Sequence, residues 1–196
     1  MRDMLKPTLS LFIICLVVSF LLAFVNGITK DTIVQRTAAD AEEKRKLVLS
    51  EASTFKKVDG WENKDESGLI REAYAAYNGD NLIGYVFSAS PKGYGGEIAV
   101  TVGVSSKNKI SGVKIGSNSE TPGLGSKAAN DDFTGQYKDK DTQKDIIIVK
   151  RPASADNEIQ AISGATVSST AVTKAVQASA ALGSKLLQEQ NGGDVK

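Results

Sequence analysis

The chain has 196 residues, 24 Lys and Arg against 23 Asp and Glu, and an apolar fraction of 41%. This near-neutral balance includes no basic block, so it gives no electrostatic indication of nucleic-acid binding. There is no histidine and one cysteine, Cys15, which excludes the usual general base, a disulfide framework, a thiolate metal site and a Cys–His dyad. We therefore expect no metal site, and any redox chemistry must come from a cofactor that the protein holds.

The first thirty residues predict a transmembrane anchor. No charged residue occurs between Lys6 and Lys30, and this stretch reaches the roughly 20 apolar residues that cross a bilayer. A cleaved secretory signal is the alternative, because the chain begins with a short basic segment. The apolar run is longer than a signal core of about 7–15 residues, and no small-residue cleavage site closes it. We predict an uncleaved anchor over residues 1–29 in the cell (inner) membrane, with the following domain on the extracytoplasmic side.

Residues 30–52 are charged and rich in helix formers, with apolar residues at loose helical spacing from Ile33 to Val48. This composition predicts a solvated stalk helix. Residues 53–190 carry the patterns of a folded domain. The polar end of the chain, residues 191–196, predicts a flexible tail.

Strand patterns dominate the first half of that domain. The runs "LIREAYAAY" and "LIGYVFSAS" flank "NGDN", and "GGEIAVTVGVS" and "KISGVKIGS" flank "SKN", so each pair predicts a β-hairpin. A further strand is expected at "DIIIVKR", and short helices at "GLGSKAAN" and "NDDFTGQY". A long C-terminal helix is expected from about Thr166, with one buried face formed by Val172, Val176, Ser179, Leu182 and Leu186. Strands followed by segregated helices indicate an α+β fold with a mainly antiparallel sheet and flanking helices.

Three segments of this domain are unusually rich in glycine or small residues. They are "PKGYGGE" at 91–97, "SETPGLGSK" at 119–127 and "SGATVSS" at 163–169. Glycine lets a backbone approach a ligand closely, and the aromatic ring of Tyr94 could lie against a flat group. Ordinary turn chemistry is the alternative for each segment taken singly.

Thr166 occupies a specific place in the third segment. If a helix begins there, the free N–H groups of its first turn lie near the Thr166 side chain. A helix N-terminus stabilises an anion, so a phosphate esterified to this hydroxyl would be held in place. The alternative is that Thr166 or Ser163 is simply an N-cap, and the residues alone favour the cap.

Taken together and in this order, the three segments resemble the covalent FMN-binding domain shared by the Rnf G subunit and the Nqr C subunit. That family attaches FMN to the threonine of a (Ser/Asp)-Gly-Ala-Thr-x-(Ser/Thr) motif, which residues 163–168 match. Rnf G proteins also carry GYGG before a strand and ETPGLG further along, matched by residues 93–96 and 120–125. These forms and the short chain favour Rnf G over Nqr C. One position departs from the family, because Asn118 stands where it often has histidine.

The resemblance implies an electron-transfer subunit of a membrane ferredoxin:NAD oxidoreductase that couples electron flow to ion transport, with no independent catalysis. It implies FMN bound through a phosphodiester to Thr166. Its partners would be the other Rnf subunits, especially the membrane D subunit, and a flavin transferase for maturation. The other cofactor-binding residues would be Ser163, Gly164, Ala165, Ser168, Tyr94, Gly95, Glu120, Thr121, Gly123, Leu124 and Gly125.

Within that site we expect specific roles for four residues of the second segment. Glu120 should bond the flavin or the N–H groups of its own loop, and Leu124 should contact the flavin ring. Gly123 and Gly125 should adopt backbone angles that are costly for other residues.

Two other functions are compatible with the sequence. One is a membrane-tethered flavin carrier outside any ion pump, or an Nqr-type C subunit. The other is a tethered binding or scaffold module without redox activity, in which the SGAT segment is only a helix cap.

Overall fold

The computed structural model describes the backbone of residues 2–193 and the side chains of residues 7–30 and 39–190. The chain forms two compact units, Met1–Glu43 and Lys44–Lys196. Two parts of the sequence predictions fall outside the described residues. In the anchor and stalk these are Met1 and the side chains of residues 2–6 and 31–38, and in the tail they are the side chains of 191–193 and all of 194–196.

Helix α1, Arg2–Val48, begins the chain and is continuous through the predicted anchor and most of the predicted stalk. Its segment Pro7–Lys30 has a mean hydropathy of 2.8 and is long and apolar enough to cross a membrane. The large apolar side chains of this segment are exposed, as in Phe20 and Leu22. Near its end the Thr29 hydroxyl donates a hydrogen bond to the Val25 carbonyl, which satisfies the hydroxyl within the helix itself.

Five antiparallel strands form the main sheet, and they lie in it in chain order. The strands are β1 (Thr54–Lys57), β2 (Ile70–Asn78), β3 (Asn81–Ala89), β4 (Ile98–Ser105) and β5 (Lys109–Asn118). Both predicted hairpins are confirmed, β2–β3 across Gly79-Asp80 and β4–β5 across residues 106–108. Gly79 has a φ of +61°, which a glycine adopts without strain.

The second half of this unit adds short elements and one long helix. Helix α2, Asp131–Thr134, lies between two 3-10 turns, and strands β6, Ile147–Val149, and β7, Glu158–Gln160, form a separate parallel pair. The strand predicted at 145–151 is therefore confirmed as β6, whereas no pattern indicated β1 or β7. Helix α3, Thr166–Gly193, begins where the sequence predicts. It continues through residues 191–193, so the helix takes up part of the stretch expected to be a tail.

Helix α3 covers one face of the sheet. The five residues predicted for its inner face are all buried, and the four apolar ones among them pack with Phe87, Val102 and Val104 in one core. Gly183 permits the close approach, because a Cβ there would lie 2.9 Å from Cγ1 of Val104. Successive residues of a strand alternate between faces, and Val86 accordingly belongs to a second cluster with Val48 at the end of α1.

The antiparallel order brings three chain segments to the same end of the sheet. The connection from β3 to β4 and the exit from β5 both lie at this end, since neighbouring strands alternate in direction. These connections hold the two glycine-rich segments, and α3 begins beside them. The fold therefore brings the three segments singled out in the sequence into one place.

Candidate functional site

A cavity of about 510 Å³ lies where the three segments meet. Its volume falls within the roughly 300–1,000 Å³ of small-molecule sites. Most of the residues predicted to form a site line it. They are Tyr94, Glu120, Thr121, Leu124, Gly125, Gly164, Ala165, Thr166 and Ser168, joined by Val167.

The Glu120 carboxylate joins all three segments behind this cavity. Its Oε1 accepts a hydrogen bond from the backbone N–H of Gly95 at 3.0 Å, and its Oε2 accepts one from the Ser168 hydroxyl at 2.6 Å. Glu120 is 6% exposed and Ser168 is 1% exposed, so both groups depend on these partners rather than on water. The N–H that Glu120 accepts belongs to the first glycine segment and not to its own loop, so that alternative is wrong. The other alternative, a bond from Glu120 to the flavin, stays a prediction.

Glycines enclose the Glu120 carboxylate because no side chain fits beside it. A Cβ on Gly93 would lie 2.2 Å from Oε1, and a Cβ on Gly125 would lie 2.2 Å from Oε2. Gly123 has a φ of +79° as expected, whereas Gly125 has no positive φ. The prediction of unusual backbone angles is therefore right for Gly123 and wrong for Gly125, where the need for glycine is steric.

Asn118 fixes the start of the same loop. Its Oδ1 accepts a hydrogen bond from the backbone N–H of Glu120 at 3.2 Å, and its Nδ2 donates one to the Gly116 carbonyl at 3.1 Å. The residue at the position where the family often has histidine thus holds the backbone that carries Glu120. It does not line the cavity.

Thr166 is the first residue of α3 and is half-buried at the cavity wall. Among the residues that the structure describes, neither the Thr166 nor the Ser163 hydroxyl forms a hydrogen bond with protein, so neither acts as an N-cap. The junction is closed instead by Ser169, whose Oγ accepts from the Ile162 N–H and donates to the Ala165 carbonyl. The N–H groups of residues 166–168 have no protein acceptor within the described chain.

The mouth of the cavity is apolar and open. Tyr94 is 76% exposed, Val167 is 54% exposed and Leu124 is 44% exposed. Large apolar side chains grouped in this way mark a site for an apolar or aromatic ligand. Val167 was not predicted as a site residue. The only feature of the sequence that could have indicated it is its apolar side chain directly after Thr166. Three predicted residues, Ser163, Gly95 and Gly123, do not line the cavity.

No His, Cys, Asp or Glu cluster that could hold a metal occurs within residues 2–193 as far as they are described. The site therefore consists of a free hydroxyl, free N–H groups at a helix start and an apolar opening. This arrangement suits an anionic group linked to a flat aromatic one.

Comparisons with known proteins agree with this geometry. Residues 93–181 match the family model for the FMN-binding domain. The chain is 36% identical over 170 residues to the G subunit of the proton-translocating ferredoxin:NAD(+) oxidoreductase complex of Clostridium ljungdahlii, covering 87% of this chain and 86% of that protein. The chain belongs to this family of G subunits.

Other matches extend the same finding. The G subunit of the Na(+)-translocating ferredoxin:NAD(+) oxidoreductase complex of Acetobacterium woodii is 35% identical over 190 residues, which cover 89% of this chain and 88% of that one. Among solved structures, the C subunit of the Na(+)-translocating NADH-quinone reductase from Parabacteroides distasonis is similar with a TM-score of 0.50. It is 25% identical, and the match covers 59% of this chain and 62% of that one.

A second solved structure, NqrC of Shewanella oneidensis, has a TM-score of 0.51 and 18% identity over 73% of this chain and 72% of its own. This likeness confirms the α+β fold. The resemblance to the Rnf G subunit is confirmed by the curated relatives, and the FMN-binding family by the matched domain.

Proposed function

We propose that this G subunit is a membrane-anchored covalent flavoprotein that relays electrons within an ion-translocating ferredoxin:NAD oxidoreductase, through FMN linked to Thr166. The observation that carries the proposal is the free Thr166 hydroxyl at the start of α3, on the wall of a cavity of about 510 Å³. A hydroxyl that caps its own helix would already be engaged. This one is available for attachment.

Attachment as a phosphodiester sets the chemistry that the site must permit. The Thr166 oxygen forms a bond to the phosphorus of a flavin nucleotide, the bond from phosphorus to a leaving group breaks, and the hydroxyl proton passes to a base of the transferase. The chain needs only to present the hydroxyl. Its neighbours Ser163 and Gly164 are exposed and small, so they leave room for an enzyme to reach Thr166.

The residues around Thr166 fit the product. The N–H groups of residues 166–168 lack protein acceptors in the described chain and offer donors to a phosphate at the helix start. Leu124, Tyr94 and Val167 present apolar surface for the flavin ring. FMN, when bound, supplies the ability to accept and pass on electrons. Glu120 acts indirectly, because it fixes both loops against α3.

The remaining predicted site residues either line the cavity or support the loops that form it. Thr121, Gly125 and Ala165 form walls of the cavity. Gly95 supports the Glu120 carboxylate through its N–H. Gly123 shapes its loop through a positive φ.

Deletion of the hydroxyl tests the attachment site. The full-length chain is produced together with the flavin transferase, and the denatured band on a gel is examined for flavin fluorescence. Thr166→Ala should abolish the fluorescence, Thr166→Ser should keep part of it, and Ser163→Ala, which removes the neighbouring hydroxyl, should keep it all. A fluorescent Thr166→Ala band would place the linkage elsewhere. A wild-type band without fluorescence would favour the alternative in which the chain is a tethered binding or scaffold module without redox activity.

We further propose that the apolar segment of α1 stays attached as the anchor and that residues 30–196 lie outside the cytoplasm. The length and hydropathy of Pro7–Lys30 support the anchor. Mass spectrometry should find the intact N-terminal region in the mature protein, and external protease should degrade the domain in intact spheroplasts. A mature terminus near Asn26 would contradict the anchor, and protection from protease would contradict the orientation.

The partners follow from the same proposal. The protein should copurify with the other Rnf subunits, and we expect its direct contact in the membrane to be the D subunit. Purification of the native complex tests this assembly. A flavinylated protein that copurifies with none of them would instead support a flavin carrier outside an ion pump.

A further inference from the structure

A second, smaller cavity adjoins Thr166. Its volume is about 260 Å³, and it is lined by Lys92, Thr166, Val167, Thr170, Ala171 and Lys174. Thr166 and Val167 also line the larger cavity. The Thr166 side chain therefore stands on the boundary between an apolar opening and a space with two lysines.

The two lysines reach this space from different elements. Thr166, Thr170 and Lys174 follow one another at intervals of four along α3, so they lie on one face of the helix. Lys174 is eight residues on, roughly 12 Å along the axis at about 1.5 Å per residue. Helical side chains lean toward the N-terminus, and Lys174 and Thr166 line the same cavity.

Lys92 approaches from the first glycine-rich segment. It directly precedes Gly93, and its backbone forms an isolated antiparallel bridge with Glu97 across the glycine turn. This bridge fixes where the Lys92 side chain begins. Lys174 and Lys92 thus line the space from α3 and from the β3–β4 connection.

The charge of the second cavity is uncompensated within the described residues. Neither Lys92 nor Lys174 has a carboxylate within ion-pair distance there, whereas Lys64, Lys114 and Lys185 each have one. No acidic residue lines this cavity. The one carboxylate of the adjoining cavity, Glu120, has both oxygens hydrogen-bonded inside the protein.

We infer that Lys92 and Lys174 bind the phosphate of the nucleotide attached to Thr166, while the larger cavity takes the flavin ring. The inference rests on the proposed function, since it requires a phosphodiester on Thr166. A phosphodiester carries one negative charge near neutral pH, and ammonium groups bind phosphate as point charges. The division of the site into a cationic and an apolar cavity would orient the flavin relative to helix α3.

The test compares two charge-matched double variants of the flavinylated full-length protein in detergent. Lys92→Gln with Lys174→Gln removes the two cavity lysines. Lys107→Gln with Lys150→Gln removes two exposed lysines that line neither cavity. Each pair lowers the net charge equally, so any general electrostatic effect appears in both.

The measurement is the phosphorus-31 NMR resonance of the folded holoprotein. We expect the cavity variant to shift and sharpen this resonance, because the phosphate loses two charged contacts, and the control to superimpose on the wild type. Added salt should move the wild-type resonance toward that of the cavity variant, since the lysines are exposed and screened by ions. Loss of flavin from the cavity variant but not from the control would also support the inference, because the phosphate must occupy this place during transfer.

The two hypotheses fail separately. A wild-type protein without a covalent phosphorus resonance overturns the attachment of FMN and the lysine assignment with it. A normal wild-type resonance that is the same in the cavity variant and in the control overturns the lysine assignment alone.

Discussion

The Ser168 hydroxyl donates a 2.6 Å hydrogen bond to Oε2 of Glu120, and this bond ties the second glycine-rich loop to the first turn of α3. Both residues are buried. The other oxygen of the same carboxylate accepts the Gly95 N–H, so one side chain holds three segments that are far apart in sequence. The shape of the cofactor cavity depends on this carboxylate, although Thr166 is the residue that we expect to bear FMN.

Ser168→Ala should destabilise the domain by about 1–3 kcal/mol, because it leaves a buried carboxylate oxygen without its partner. The measurement is urea unfolding of the full chain in detergent, followed by the fluorescence of Trp61, the single and buried tryptophan. Ser163→Ala is the matched control, since Ser163 is exposed and forms no side-chain hydrogen bond in the described chain. Equal stabilities of the two variants would show that the bond to Glu120 contributes nothing.

Gly125→Ala should distort the cavity through a steric conflict. The added Cβ would lie 2.2 Å from Oε2 of Glu120 and 2.7 Å from Oγ of Ser168, which forces a shift costing about 1–3 kcal/mol. We expect lower stability and a changed absorption spectrum of the bound flavin. Gly135→Ala is the control, because Gly135 has a helical φ of −63° and open space at its Cβ. If the flavin spectrum of Gly125→Ala is unchanged, this loop does not shape the environment of the flavin.

The sequence was sufficient to predict the elements whose patterns are local. The two hairpins, β6 and the start and buried face of α3 each follow from turn residues or periodicity within one segment. Strand β6 is also short, but it lies in a continuous apolar run. Strands β1 and β7 contain one apolar residue each, Phe55 and Ile159, so they carry no such pattern and are defined by their partner strands.

Long-range contacts account for what could not be predicted within the site. The three segments could be recognised, but the partner of Glu120 could not, since the Gly95 N–H lies 25 residues away in sequence. The need for glycine at 125 likewise arises from Glu120 and Ser168, which only the folded chain brings beside it. The cationic space at Thr166 depends on Lys92 and Lys174. Lys92 belongs to the first glycine-rich segment, but nothing in the sequence pairs it with the distant Lys174.

Ser111→Ala should weaken the attachment of the end of α1 to the sheet. The Ser111 hydroxyl donates a 2.6 Å hydrogen bond to the carbonyl of Val48, the last residue of α1. Gly103 lies beneath the same carbonyl, since a Cβ there would be 2.6 Å from that oxygen. We expect a loss of about 1 kcal/mol and faster amide hydrogen exchange at residues 49–53. The control is Ser106→Ala, at the exposed tip of the β4–β5 hairpin, which should change neither the stability nor the exchange at residues 49–53. Equal exchange rates in the two variants would contradict the prediction.

Glu158 should make the stability of the domain depend on pH. Its Oε1 is 2.6 Å from Nη2 of Arg151, and its Oε2 accepts bonds from Nη1 of Arg151 and from the N–H of Ser154. The Arg151 hydrogen bonds, with help from the Ser154 N–H, lower the pKa of Glu158 from 4.5 to about 2. Because the folded state favours the carboxylate, this contribution is complete above about pH 5 and is lost as the pH falls toward 2.

Glu158→Gln removes that contribution and so tests it. The free energy of unfolding of the wild type should exceed that of Glu158→Gln by a constant amount above pH 5, and the difference should shrink steadily between pH 4.5 and pH 2. Urea unfolding at several pH values gives both curves. Glu51→Gln is the control for removal of an exposed carboxylate that has no ion-pair partner among the described residues, and its difference from the wild type should be small throughout. A Glu158→Gln difference that stays constant down to pH 2 would show that the Arg151 contact does not favour the folded state.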